Sequence, residues 1–310
     1  IFNESMARVF SVAFSPDSQL LATGSLDRKV RIYALGSAIG NALQVPPKYT
    51  LDDAMGSVQS IAFSVDSKLL ATGSLDQKVR VYECLIPGSA PKLRYTLGDA
   101  LDAVYSVAFS ADSELLASGS LDKMARVYAL DEAVPSLKYT LEDATAWVFS
   151  VAFSADSKLL ASGSDDERLR IYALEDVAAS STASIAEYTK YTLYEAMDLI
   201  SSVAFSADSK LIATGSLDMK VRVYAIGDGV APSLKYTFDD ATDNVSAVAF
   251  SPDLRFLVSG SLDKKVRVYT RSLDPAHESL RTESPRNFHA PHTYTRYLQA
   301  SGVCPHAPPT

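Results

Sequence analysis

The stretch Val9 to Tyr33, VFSVAFSPDSQLLATGSLDRKVRIY, is the key to the whole chain. Val9 to Ser15 is rich in β-branched and aromatic residues, which suit a pleated, half-buried strand. Pro16-Asp17-Ser18 is turn chemistry, because Pro presets φ while Asp and Ser bond their own backbone. Leu20 to Ser25 is a second apolar run, and Leu26-Asp27-Arg28-Lys29 reads as a tight turn. Val30 to Tyr33 alternates apolar and polar residues with the period of a strand.

The same pattern returns along the chain. Ser11-Val12-Ala13-Phe14-Ser15 recurs as Ser60 to Ser64, Ser106 to Ser110, Ser150 to Ser154, Ser202 to Ser206 and Ala247 to Ser251. Asp27, Asp76, Asp122, Asp166, Asp218 and Asp263 close the equivalent turns, 44 to 52 residues apart. A fourth strand precedes each later copy: KYTL at Lys48, Lys138 and Lys190, RYTL at Arg94 and KYTF at Lys235. Four short antiparallel strands every ~45 residues make the blade of a β-propeller. One blade cannot bury both of its faces, so blades must stack around an axis. The expected fold is all-β, a propeller of six four-stranded blades. It occupies residues 1–270, with repeats around 8–33, 57–82, 103–128, 147–172, 199–224 and 244–269.

The repeated string V-x-S-V-A-F-S-x-D-S-x-L-L-A-S/T-G-S-L-D-x-K-V-R-V/I-Y resembles the WD-repeat family, six times over nearly nine-tenths of the chain. The resemblance implies a propeller that presents binding surfaces and carries no catalytic residue. It also exposes two departures. Where the family ends its third strand in Trp-Asp, Trp is replaced by Tyr33, Tyr82, Tyr128, Tyr172, Tyr224 and Tyr269. Where it opens each repeat with Gly-His, this chain has Asp53-Ala54, Asp99-Ala100, Asp143-Ala144, Glu195-Ala196 and Asp240-Ala241, with Glu4-Ser5 in the first copy. The family's His links the turn Asp to a strand hydroxyl and to the Trp. That relay cannot form here. The turn Asp should instead accept backbone N–H bonds within its own turn. The Tyr hydroxyl should reach the strand hydroxyl (Thr23, Thr72, Ser118, Ser162, Thr214 or Ser259) or a water. The Arg column Arg31, Arg80, Arg126, Arg170, Arg222 and Arg267 recurs in every copy. It is expected to pair, exposed, with the acid of the Asp-Ala dipeptide.

Five fourth strands are accounted for, and a terminus must supply the sixth. Ile1-Phe2 aligns with the end of KYTL and is the favoured closing segment; His292 to Leu298, HTYTRYL, is the second candidate, and an open array is the third. A chain that starts at Ile1 inside a strand also suits a module excised from a longer protein. Residues 271–310 differ in composition, holding all four histidines and six of the fourteen prolines. They read as a Pro/His-rich extension, either disordered or supplying a closing strand. His289, His292, Cys304 and His306 lack the spacing of a zinc motif. Glu175 to Glu187, rich in Ala and Ser, reads as a loop on the rim between the fourth and fifth blades.

Composition narrows the function. The net charge of −8 disfavours nucleic acid, whose binding rests on neutralising phosphates. No apolar run approaches the ~20 residues that span a bilayer, so no membrane is expected. Two cysteines in 310 residues are not a disulfide framework. A cytoplasmic setting is expected, with the nucleus left open. Residues 1–270 contain no His, which removes His bases, Ser-His-Asp triads and His metal clusters from the propeller. No phosphate-binding glycine motif is present. No cofactor, metal or catalytic residue is expected, and the chain is read as not an enzyme.

Binding belongs to positions that escape the repeat. By resemblance to the family, three positions per blade project at the channel mouth. The first is Arg8, Ser57, Ala103, Trp147, Leu199 and Asn244; the second is Phe10, Gln59, Tyr105, Phe149, Ser201 and Ser246. The third is Leu26, Leu75, Leu121, Asp165, Leu217 and Leu262. Aromatic and Arg residues are the usual interface anchors. The candidate surface is therefore Arg8, Phe10, Leu26, Leu75, Tyr105, Leu121, Trp147, Phe149 and Asp165. It suits a peptide or protein partner with apolar anchors and some basic character. The expected function is a protein-interaction scaffold, as a monomer or within a larger complex. The alternative is a sensor or regulatory propeller within a multidomain signalling protein.

Overall fold

Each copy of the repeat folds as its turn residues dictate. In Pro16-Asp17-Ser18, Asp17 takes a hydrogen bond from Ser15 Oγ (2.5 Å) and another from the Gln19 N–H (3.0 Å), while Ser18 holds φ at 59°. The next turn reverses the chain again with Arg28 at φ 69°. The same two places have positive φ in every blade, all on non-glycine residues. Each such residue carries a left-handed strain cost of roughly 1–2 kcal/mol, offset by the bonds of the turn.

The computed structural model describes residues 7–35, 46–84, 89–130, 134–174, 189–227, 230–271 and 280–282. They form six four-stranded antiparallel sheets, with no helix among the described residues. Blade one is β1 (Val9–Phe14), β2 (Leu20–Ser25), β3 (Val30–Ala34) and β4 (Tyr49–Leu51). Blade two is β5 (Val58–Phe63), β6 (Leu69–Ser74), β7 (Val79–Glu83) and β8 (Lys92–Leu97). Blade three is β9 (Val104–Phe109), β10 (Leu115–Ser120), β11 (Ala125–Ala129) and β12 (Ser136–Leu141). Blade four is β13 (Val148–Phe153), β14 (Leu159–Ser164), β15 (Leu169–Ala173) and β16 (Thr189–Leu193). Blade five is β17 (Ile200–Phe205), β18 (Leu211–Ser216), β19 (Val221–Gly227) and β20 (Val230–Phe238). Blade six is β21 (Val245–Phe250), β22 (Phe256–Ser261), β23 (Val266–Arg271) and β24 (Leu280–Thr282). The fold is the six-bladed propeller expected from the repeat.

In the last blade β24 is registered on Tyr269 to Arg271, whereas the KYTL-type strand of blade one pairs further back, Leu51 with Val30 and Tyr49 with Ile32. The closing segments expected from the sequence were Ile1-Phe2 and His292 to Leu298. Both of those segments, the insertion Glu175 to Glu187, the four histidines and Cys304 lie outside the described residues.

Stability sits in the seams between blades. At the first seam, Ala22, Val30 and Ile32 of blade one pack on Val58, Ile61 and Phe63 of blade two. Gly24 permits the close approach, because a Cβ there would stand 2.7 Å from a Val58 methyl. Equivalent clusters fill the seams from blade two to blade six. A column of serines ties the same seams. The N–H of Ile61, Val107, Val151 and Val203 donates to the hydroxyl of Ser11, Ser60, Ser106 and Ser150, each at 3.0 Å. Val248 donates to Ser202 at 3.1 Å. Burial at about 25 cal/mol per Å² of apolar surface dominates such seams; the hydroxyl bonds set their register.

Candidate functional site

The upper rim is the end of the propeller where the first strand of each blade begins and the second-to-third-strand turns lie. Its floor is a buried network. Asp27 accepts from the Lys29 N–H (3.2 Å), from Ser25 Oγ, and from both terminal nitrogens of Arg31 (3.2 and 2.6 Å). The pair repeats in all blades: Arg80–Asp76 2.7 Å, Arg126–Asp122 2.7 Å, and Arg170–Asp166, Arg222–Asp218 and Arg267–Asp263 at 2.6 Å. The arginines of blades one to five are buried. This corrects the expected pairing. The turn between Asp and Arg folds the chain back, so the Arg reaches the Asp four residues earlier rather than an exposed acid of another loop. Among the described residues, Arg170–Asp143 (3.3 Å) and Arg267–Asp240 (3.0 Å) add the dipeptide acid.

Each turn Asp in blades two to six also staples the loop ahead of its own blade. The N–H of Met55 donates to Asp76 (2.7 Å), Leu101 to Asp122 (2.8 Å) and Thr145 to Asp166 (2.8 Å). Met197 and Thr242 donate to Asp218 and Asp263, each at 3.1 Å. Burial opposes ionisation of Asp27, Asp76, Asp166, Asp218 and Asp263, but the Arg bonds, with the Ser and backbone donors, outweigh it. Their carboxyls are held below the usual carboxylate range.

The two departures from the family signature compensate each other. The Tyr172 hydroxyl donates to Asp143 (2.8 Å) and lies 3.3 Å from Ser162 Oγ. Tyr269 does the same with Asp240 (3.1 Å) and Ser259 (3.3 Å). Burial, with the adjacent acid, pushes the phenols of Tyr82, Tyr128, Tyr172, Tyr224 and Tyr269 well above their ordinary range; the acids are Asp53, Asp99, Asp143, Glu195 and Asp240. Ala54, Ala100, Ala144, Ala196 and Ala241, in the place of the family His, are buried. The dipeptide acid thus supplies the acceptor that a relay needs, and the Tyr supplies the donor.

On this floor stand the residues singled out from the sequence. In every blade the third position donates its N–H to the carbonyl of the first: Leu26 to Arg8, Leu75 to Ser57, Leu121 to Ala103 and Asp165 to Trp147, within 2.8–3.0 Å. The second position is a β-bulge in all six blades, the ladder slipping at Phe10, Gln59, Tyr105, Phe149, Ser201 and Ser246. A bulge residue leaves the ladder and is re-aimed. Phe149 meets Trp147 edge-on at 6.1 Å between ring centroids, and meets Tyr105 of blade three at 5.1 Å. All three rings are half-buried. Asp165, Leu26 and Leu75 are exposed, as is Arg8; Leu121 and Phe10 are half-buried. Phe10 belongs to blade one, with blade two between it and the cluster. Ser57, Ala103 and Leu199 are buried, so the first position does not project in blades two, three and five.

Sequence reasoning missed Met55, Leu101 and Met197, all exposed on the same rim. They follow the Asp/Glu-Ala dipeptide, at a place that reads Met, Leu, Thr, Met and Thr from blade two to blade six. That irregularity was the available signal. It missed also a cavity of ≈ 300 Å³ at the opposite channel mouth, lined by Phe109, Phe153, Phe205 and Phe250. Phe153 is half-buried there. Among the described residues no cluster of His, Cys, Asp and Glu could hold a metal ion.

Six sheets stacked about an axis, with an unrepeated rim on a repeated floor, define a repeat propeller. The family model described as "WD domain, G-beta repeat" matches residues 2–34, 46–83, 91–129, 135–173, 189–225 and 232–270, and the chain belongs to that family. Comparison with curated proteins returned no match. Propellers of this family generally act as protein-interaction scaffolds and are typically not enzymes.

Proposed function

We propose that the chain docks a peptide or protein segment on its upper rim, through the cluster of Tyr105, Trp147 and Phe149. The observation that carries this reading is the ring contact across the seam between blades three and four, which joins residues that break the repeat. Half-buried rings at a channel mouth offer large, pre-ordered apolar contact. Around them stand exposed Leu101 and Asp165 and half-buried Leu121. Burial, with Asp198, Asp166 and Glu167 nearby, raises the Asp165 carboxyl above its ordinary value. A cation from a partner would relieve that crowding. The partner read from this surface has apolar anchors flanked by Lys or Arg.

The test is selection of peptides from a random display library against the wild-type chain, followed by titration with Trp147→Ala/Phe149→Ala. Enrichment of basic peptides with aromatic or Leu anchors, lost to the double variant, is expected. Binders that ignore the double variant would move the site elsewhere.

A further inference from the structure

Blade four breaks the repeat at the upper end of every one of its strands. At the head of β13 stands Trp147, where the other blades carry Arg, Ser, Ala, Leu and Asn. β14 leads into Asp165, where the other five carry Leu. β15 is entered from Arg168, where the others have Lys or Met. β16 leads into Tyr194, at the place of Asp52, Gly98, Glu142 and Asp239. β13 lies innermost, packed on β9 and β17 of the adjoining blades. The sheet order β13-β14-β15-β16 then sets the order of these four residues from the channel outward. Neighbouring strands lie ~4.8 Å apart, so the row spans ~14 Å.

The row is chemically graded. At its inner end Trp147 and Phe149 form the ring cluster with Tyr105. Next comes exposed Asp165, whose N–H is held by the Trp147 carbonyl at 2.8 Å. Exposed Asp198 and Glu167 crowd it, whereas Asp166 is taken up by Arg170. At the outer end the Arg168 guanidinium lies over the Tyr194 ring, 5.0 Å from its centroid. Tyr194 is 65% exposed. Among the described residues no acid pairs with Arg168. A guanidinium stacked on a ring keeps the planar fork that carboxylates bind. Rings, carboxylates and a ring-backed cation thus follow one another outward.

We infer that the peptide docked at the rim lies extended along blade four and carries a basic residue between its apolar anchor and an acidic residue. The anchor meets Trp147 and Phe149, the basic residue meets Asp165 and Asp198, and the acid meets Arg168. An extended chain rises ~3.3 Å per residue, so anchor and acid stand about four residues apart. The order holds for either chain direction, because only the middle place is fixed by charge. It rests on the rim reading above and can fail without it.

The test uses the full chain and two labelled peptides of one composition, Trp-Gly-Arg-Gly-Glu and Trp-Gly-Glu-Gly-Arg, each flanked by Gly and Ser. Fluorescence anisotropy reads the affinities. The first peptide should bind about tenfold more tightly or better. The charge exchange Asp165→Arg/Arg168→Glu should reverse that preference. Asp165→Leu and Tyr194→Asp restore residues that other blades carry, so melting temperature should hold while the preference shrinks. Equal affinities, lost together in Trp147→Ala/Phe149→Ala, would overturn the order and leave the rim reading standing. A preference untouched by Asp165→Leu and by the charge exchange would place the charge recognition elsewhere and overturn it too. Failure of both peptides to bind would also overturn the order, while the library selection judges the rim separately. A sharp drop in the melting temperature of Asp165→Leu would make Asp165 framework and remove the middle of the row.

Discussion

Trp147 and Arg170 belong to the same blade and teach opposite lessons. Arg170 recurs in every blade, is buried, and is bound to a partner four residues earlier. Trp147 is the only Trp of the chain, is half-buried, and touches a residue that differs from blade to blade. Repetition marks what holds the blade, and irregularity marks what the blade offers. Four experiments press on that division.

The largest effect should come from acid, because it acts on several repeated sites together. Asp27, Asp76, Asp166, Asp218 and Asp263 are held below the usual range. A carboxyl with a lowered folded-state pKa stabilises above its unfolded value, near ~3.9, and loses that contribution as pH falls through its folded value. Melting temperature should be flat from neutrality to about pH 5 and fall steeply below pH ~4. A profile unchanged down to pH ~3 would remove the network from the list of stabilising features.

Next is Arg170→Ala. It leaves the buried carboxylate of Asp166 without its guanidinium, for which ~3–5 kcal/mol of lost stability is typical. Chemical denaturation measures it. A loss within ~1 kcal/mol, as exposed pairs give, would return the Arg column to the surface role first expected of it.

Trp147→Ala should cost any rim-bound peptide ~2 kcal/mol or more, roughly thirtyfold in affinity, with a smaller loss of fold stability. Leu160→Ala, at a fully buried place in the same blade, should cost ~2–5 kcal/mol of stability. If the two variants melt alike, Trp147 is framework and the division fails at its most prominent residue.

The smallest effect concerns the exchanged relay. Asp143→Gly/Ala144→His removes the acceptor of the Tyr172 hydroxyl, and Tyr172→Trp removes its donor. Each change alone should destabilise, and together they should cost less than the sum. Groups in one network couple by ~0.5–3 kcal/mol. Additive melting shifts would show two independent substitutions rather than one exchanged pair.

The fold was readable because the repeat wrote its turns six times: Asp27 to Asp263 close the turns assigned to them. The first and third rim positions pair in every blade, but the first does not project where Ser57, Ala103 and Leu199 are buried. What the sequence hid was geometry beyond period 2. The Arg–Asp pairing needs the curvature of the turn, and the meeting of Phe149 with Trp147 is set by a bulge that leaves no mark in the residue types. Burial was hidden for a different reason. Val12 and Ile61 look equivalent in the string, yet one is open and the other covered, because the neighbour, not the residue, determines exposure.

The bulge has a consequence for how such a chain changes over time. Its residue sits outside the ladder, so replacing it leaves the strand pairing in place, although Ser201 Oγ donates across a seam to the Val245 carbonyl (2.6 Å) and Phe149 meets Tyr105 across another. Phe, Gln, Tyr and Ser all occupy it across the six blades, on nearly the same backbone. Six places of this kind let the rim vary one side chain at a time, while selection for folding keeps its hold on the residues below.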